Sequence, residues 1–220
     1  FTTLLLGLEI LSISLYVMIG YPEEHQAPLE AALKYLVLSG VASTILLFGM
    51  ALVYMQTGTL SFAKIGEHGN AGNLMLIGQS MMLAAIAFKL SLVPFHMWTP
   101  DVYQGAPAPV TGYLATVSKA AMLVVLLRYS LATDLLGNDN AFMLVTLFGI
   151  LSMLAGNVLA LMQENLKRML AYSSIAHLGY LMIAVAALRL AADQETALEA
   201  TLVYLSAYFA MSLAAFGVIS

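Results

Sequence analysis

The sequence predicts an all-α, polytopic bundle of membrane-spanning helices in which one helix is interrupted by proline. Composition, run length and proline placement carry that expectation. The chain is 61% hydrophobic and 9% charged, where a soluble domain carries roughly 25% charged residues. Its mean hydropathy is +0.91. The apolar runs are long and lack the period-two alternation of strands. With no water in the hydrocarbon to satisfy a backbone, only helices or closed barrels span it, and these runs read as helices. A span takes ~20 residues, so the 220 residues hold about seven.

The whole chain reads as one transmembrane domain. The first span covers 1–20 and closes at a polar stretch with Pro22, His25 and Pro28. The second covers 33–55 and ends at Gln56-Thr57-Gly58. A polar connection with Lys64, Glu67 and His68 follows. The third, 73–99, contains Pro94 and should kink or break near there, because proline lacks a donor and clashes with the preceding turn. Pro100, Pro107 and Pro109 then predict a rigid connection. Further spans follow at 110–129, 141–162, 166–188 and 198–220. Lys34, Lys167 and Arg168 fall on one side, and Lys64, Arg128 and Arg189 on the other. The positive-inside rule therefore sets no orientation. Apolar runs at both ends read as an internal piece of a longer protein.

Some functions are excluded by composition. There is no cysteine, hence no Cys-ligated iron–sulfur cluster and no disulfide. A net charge of −4 spread over loops gives no nucleic-acid face. Metal-ligand spacings are absent.

Three charges stand out. Glu9, Lys89 and Lys119 lie mid-span among apolar neighbours, where a charge costs about 2.5–3.5 kcal/mol on insertion scales. Each is too far from a helix end to snorkel out easily. Burial disfavours a lysine's charged form and a nearby carboxylate restores it. A Glu9–Lys89 pair that opens and closes would therefore load and unload a proton, with Lys119 as the next site. The competing reading is a static ion pair that only orders the bundle. An interrupted helix just beyond Lys89 suits a hydrated cavity near the midplane. His96 would share the Lys89 face of an unbroken helix. His96 and His177 are both candidate proton relays. His25 and His68 read as loop residues. Lys167 and Arg168, beside a turn, are expected to reach headgroups, and Trp98 suits the aromatic belt.

These residues also carry a family resemblance. Lys89-Leu90-Ser91-Leu92-Val93-Pro94-Phe95-His96 followed by Met97-Trp98-Thr99-Pro100-Asp101-Val102-Tyr103-Gln104-Gly105-Ala106-Pro107 resembles the antiporter-like subunit N family of bacterial complex I, the NADH-quinone oxidoreductase. Gln163-Glu164-Asn165-Leu166-Lys167-Arg168 through Ser173-Ser174-Ile175-Ala176-His177-Leu178-Gly179-Tyr180, and Leu5-Leu6-Gly7-Leu8-Glu9-Ile10, are similar to the same family. The lysine with Pro-Phe-His is shared with multisubunit cation/proton antiporters. The Trp98–Pro107 continuation favours subunit N.

The resemblance implies an inverted-repeat antiporter-like fold, with these spans as helices five to eleven of about fourteen. It implies that Glu9, Lys89 and Lys119 translocate protons, coupled to electron transfer elsewhere. It also implies no cofactor in this chain; FMN, iron–sulfur clusters and quinone are expected in partner subunits. The implied partners are other membrane subunits of the complex, including sister antiporter-like subunits, in the bacterial inner membrane. Two rivals remain: a subunit of a cation/proton antiporter, and a scaffolding or quinone-binding subunit.

Overall fold

The computed structural model describes residues 1–21, 26–67 and 72–219. His25 and His68, read above as loop residues, lie outside them, as does Pro22. The described chain is helical throughout, in the order α1 (Thr2–Gly20), α2 (Gln26–Thr57), α3 (Phe62–Glu67), α4 (Asn73–Lys89), α5 (Trp98–Gly105) and α6 (Ala108–Tyr113). A π-helical segment, Leu114–Ser118, joins α6 to α7 (Lys119–Thr133). A 3₁₀ turn leads to α8 (Asp139–Leu161), then α9 (Leu166–Ala187) and α10 (Gln194–Val218). Among the described residues, 6 helices are long and apolar enough to cross a membrane, and α4 is a shorter apolar helix.

These helices are apolar on every side, so lipid and protein interior are both acceptable solvents for their faces. On α8, Met143, Leu147, Ile150, Leu154, Val158 and Leu161 recur every three or four residues and are all exposed, from 42% to 89%. That stripe suits lipid. The opposite face of α8 packs along α9, and α2 packs along both α1 and α4.

Small residues set the tightest approaches. A methyl added at Gly156 would lie 2.7 Å from the Ala176 amide nitrogen and 2.9 Å from the Tyr172 carbonyl. Gly49 and Gly78 bring α2 and α4 together in the same way, each 2.8 Å from the other's carbonyl by that measure. Without a hydrophobic drive between helices in lipid, such backbone proximity is a main source of association. Side-chain caps define helix starts: Asn138 accepts from the amides of Asn140 and Ala141, and Asn165 from that of Arg168.

The proline region is a true break. α4 ends at Lys89 and the backbone stays outside an α-helix until Trp98. Ser91 adopts φ +61°, a left-handed conformation uncommon for a non-glycine residue. The Val93–Pro94 bond is cis. The exposed backbone is answered from outside: the Val93 amide donates to Ser152 Oγ of α8 at 2.9 Å. Trp98 Nε1 donates across the gap to the Phe88 carbonyl at 3.1 Å.

Two local expectations change. The Pro100–Pro109 stretch is largely helix, since Pro100 falls in the first turn of α5, where a missing N–H costs nothing. Trp98 is not a belt residue; it is 2% exposed and stacks between Phe88 and Tyr35.

Candidate functional site

Lys89 is the last residue of α4, so its ammonium lies at the negative end of that helix. It is 6% exposed. Its Nζ donates to Ser12 Oγ of α1 at 2.7 Å and to Ser39 Oγ of α2 at 2.6 Å, with the Tyr35 ring 5.8 Å away. Two short charged hydrogen bonds and an aromatic face make a desolvated lysine tolerable.

Glu9 does not pair with Lys89 in this arrangement. It sits one turn before Ser12 on α1, half-buried, and its Oε1 has no hydrogen-bond partner among the described residues. The serines take two of the ammonium's three donors. The pair expected from sequence is open, and Ser12 and Ser39 occupy the place of the carboxylate. Ser12 was readable in principle, as a hydroxyl one turn from Glu9 on the same face. Ser39 carries no such signal.

Lys119 is 1% exposed and begins α7 directly after the π-helical segment. π-segments inside helices occur frequently at functional sites. Its Nζ donates to Ser174 Oγ of α9 at 2.8 Å and lies 5.3 Å from the Tyr103 ring. Ser174 Oγ is 2.6 Å from Tyr208 Oη of α10, which donates to the Ala115 carbonyl at 3.0 Å. No carboxylate pairs with Lys119 among the described residues.

The histidines part company. His177, one turn after Ser174, has its Nδ1 2.8 Å from Tyr204 Oη and its ring 5.5 Å from that of Tyr208. It thus borders the Lys119 cluster. His96 lies inside the break, 8% exposed, and its Nδ1 has no hydrogen-bond partner among the described residues. The helix that would have aligned it with Lys89 ends before it, and its nearest aromatic neighbour is Tyr172 at 6.4 Å.

A second charged cluster, missed in the sequence, ties helix ends together. Asp101 of α5 accepts from Lys34 of α2 at 2.8 Å and from Arg168 of α9 at 2.7 Å. Burial pushes the Asp101 carboxyl up, but hydrogen bonds from Lys34 and Arg168 outweigh it and hold the group below its ordinary value. Arg168 also donates to Gln104 and Gln163, and Lys167 donates to the Ala106 carbonyl at 2.8 Å. Lys167 and Arg168 therefore turn inward to α5, because Asp101 and a free carbonyl at its end outcompete the headgroup region. Among the described residues no group of three or more His, Cys, Asp or Glu could hold a metal.

The fold and these buried cations define a polytopic helical membrane protein with an interrupted helix and ionisable side chains at span depth. The family model described as NADH:quinone oxidoreductase/Mrp antiporter, TM, matches residues 1–220, and the chain belongs to that family. It is 55% identical over 219 residues to NADH-quinone oxidoreductase subunit N of Methylococcus capsulatus, covering 98% of this chain and 44% of that relative. It matches a chain of respiratory complex I from Thermus thermophilus with bound aureothin at a TM-score of 0.82 and 39% identity, over 98% of this chain and 45% of that one. A chain of the Mrp complex from Dietzia sp. DQ12-45-1b shares the fold, at a TM-score of 0.77 and 24% identity over 87% of this chain and 35% of that one. The chain spans less than half the length of the curated relatives it matches.

Proposed function

We propose that this chain forms part of a proton-translocating membrane subunit of a bacterial NADH:quinone oxidoreductase, seated in the inner membrane. One observation carries the proposal: two lysines are buried at span depth, each hydrogen-bonded to serine and, among the described residues, neither locked in an ion pair. A cation held by neutral groups can release its proton without leaving a carboxylate stranded, whereas a buried ion pair resists separation.

Glu9 is the control element in this reading. When its carboxylate approaches Lys89 in place of Ser12, the ammonium is stabilised; when it withdraws, the proton is free to leave toward Lys119. His177, beside the Lys119 cluster, serves as a relay, and His96 in the break as another. Electron transfer occurs in partner subunits, which would hold FMN, iron–sulfur clusters and the quinone. Sister antiporter-like subunits are the expected neighbours in the membrane.

The test is Lys89→Ala in the full-length subunit within the assembled complex. Proton pumping into vesicles should fall about tenfold or more, with coupled NADH oxidation slowed in parallel. Wild-type levels of both would remove Lys89 from the path. The family's Mrp branch supports a second reading, a cation/proton antiporter subunit. Co-purification with NADH-oxidising, flavin-bearing subunits separates the two. If neutralising Lys89 and Lys119 harms only assembly or quinone affinity, a scaffolding or quinone-binding role is the better account.

A further inference from the structure

We propose that Ser174 and Tyr208 form a hydroxyl brace that positions the Lys119 ammonium against the π-helical segment preceding it. They act through Lys119 and do not themselves conduct protons. The inference rests on the reading of Lys119 as a proton-carrying site.

The brace is a closed ring. From Lys119 the hydrogen bonds run to Ser174 at 2.8 Å, to Tyr208 at 2.6 Å and back to the carbonyl of Ala115 at 3.0 Å, one turn before Lys119 in the chain. Every member is buried: Lys119 is 1%, Ser174 4%, Tyr208 2% and Ala115 0% exposed. Three helices and the π segment thus meet on one charge, and Ala115 lies inside that segment. Thr116 adds a hydroxyl bond to the Gly112 carbonyl at 2.7 Å, so the segment is tied back to α6 as well.

Hydrogen counting fixes what the ring can do. An ammonium only donates, and each hydroxyl has one hydrogen. With Lys119 charged, Ser174 accepts from it and donates to Tyr208, and Tyr208 donates to Ala115. Every bond points the same way, so the hydroxyls polarise one another. The last acceptor is a peptide carbonyl, which carries no exchangeable proton, so the row holds a charge and does not pass it on. When Lys119 is neutral its nitrogen gains a lone pair. The neutral amine keeps two hydrogens and can still donate to Ser174, while Ser174 donates to Tyr208 and Tyr208 to Ala115. Both states of the lysine therefore keep the same row of hydrogen bonds, with no heavy atom moved.

The experiment uses the full-length subunit in the assembled complex, reconstituted in proteoliposomes. The variants are Ser174→Ala, Ser174→Thr and Tyr208→Phe, each alone and combined with Lys119→Gln. Protons moved per NADH oxidised should fall about threefold to tenfold in Ser174→Ala and Tyr208→Phe, the loss of a charge-assisted contact. Ser174→Thr, which keeps the hydroxyl, should stay within about twofold of wild type. On the Lys119→Gln background neither change should lower the ratio further, as expected for residues acting through one partner. Wild-type ratios in Ser174→Ala and Tyr208→Phe, beside a deficient Lys119→Gln, would overturn the brace alone. Deficits that add in full to Lys119→Gln would overturn it too. A wild-type ratio in Lys119→Gln would instead overturn the reading of Lys119, and the brace with it.

Discussion

At the scale of single residues, the buried cations were legible because a lone charge in an apolar run has few explanations. Lys89 and Lys119 stand out that way, and so does Glu9. Their partners do not. Ser12, Ser39, Ser174 and Tyr208 are ordinary residues for membrane helices, and only the packing decides which hydroxyl meets which ammonium. Asp101 is a similar case. In sequence it is one acid among prolines, yet it joins Lys34 and Arg168 from two distant helices. Its folded-state carboxyl is held below the ordinary value, which fixes the sign of its pH dependence. The stabilisation is fully present above the unfolded value of about 4 and is lost as pH falls through the lower folded value. Asp101→Asn should therefore lower thermal stability at neutral pH by up to about 1 kcal/mol, since the site is partly open to solvent. The difference from wild type should shrink on acidification. Unfolding curves in detergent at several pH values check this; a constant difference down to strong acid would contradict it.

For the elements, proline announced an interruption, and the structure turned it into a braced gap. Removing the proline's donor explains why α4 cannot continue, but not why the gap is stable. That comes from Ser152, which is 0% exposed and receives the Val93 amide, and from Trp98, which donates to Phe88. Neither contact has a local signature, because both cross long stretches of sequence or the break itself. Ser152→Ala would leave a partly buried amide unpaired, which costs about 1 kcal/mol or more. A matching drop in thermal stability is expected, whereas Ser152→Thr should keep most of it. The helix start at Asn165 offers a milder case. Its side chain caps α9, and Asn165→Ala should cost about 1 kcal/mol, measurable in the same assay. The π segment before Lys119 had no sequence signal at all. Its widened turn becomes meaningful only with Tyr208 from α10 seated on Ala115.

Across the whole molecule, the glycines that let α8 meet α9 decide how the bundle closes. Gly156→Ala would push a methyl into the α9 backbone at Ala176 and Tyr172. Overpacking of this kind costs about 1–3 kcal/mol, so folded yield in detergent and thermal stability should both drop. Ala at exposed Gly7, which meets nothing within 4 Å, serves as the control and should lower neither. The sequence by itself determined the solvent and the class of element: apolar runs of span length must become helices in lipid, and a proline within one must interrupt it. It also determined which charges are out of place, whereas the choice between a kink and a full break at Pro94 was left to the packing. Only the tertiary structure decided that Lys89 rests on Ser12 and Ser39 while Glu9 stands open, and that Lys119 closes a ring through Ser174 and Tyr208. The reason is physical. Helix formation and lipid partitioning depend on local composition, whereas a buried ammonium is satisfied by whichever hydroxyls the packing of distant helices brings within reach.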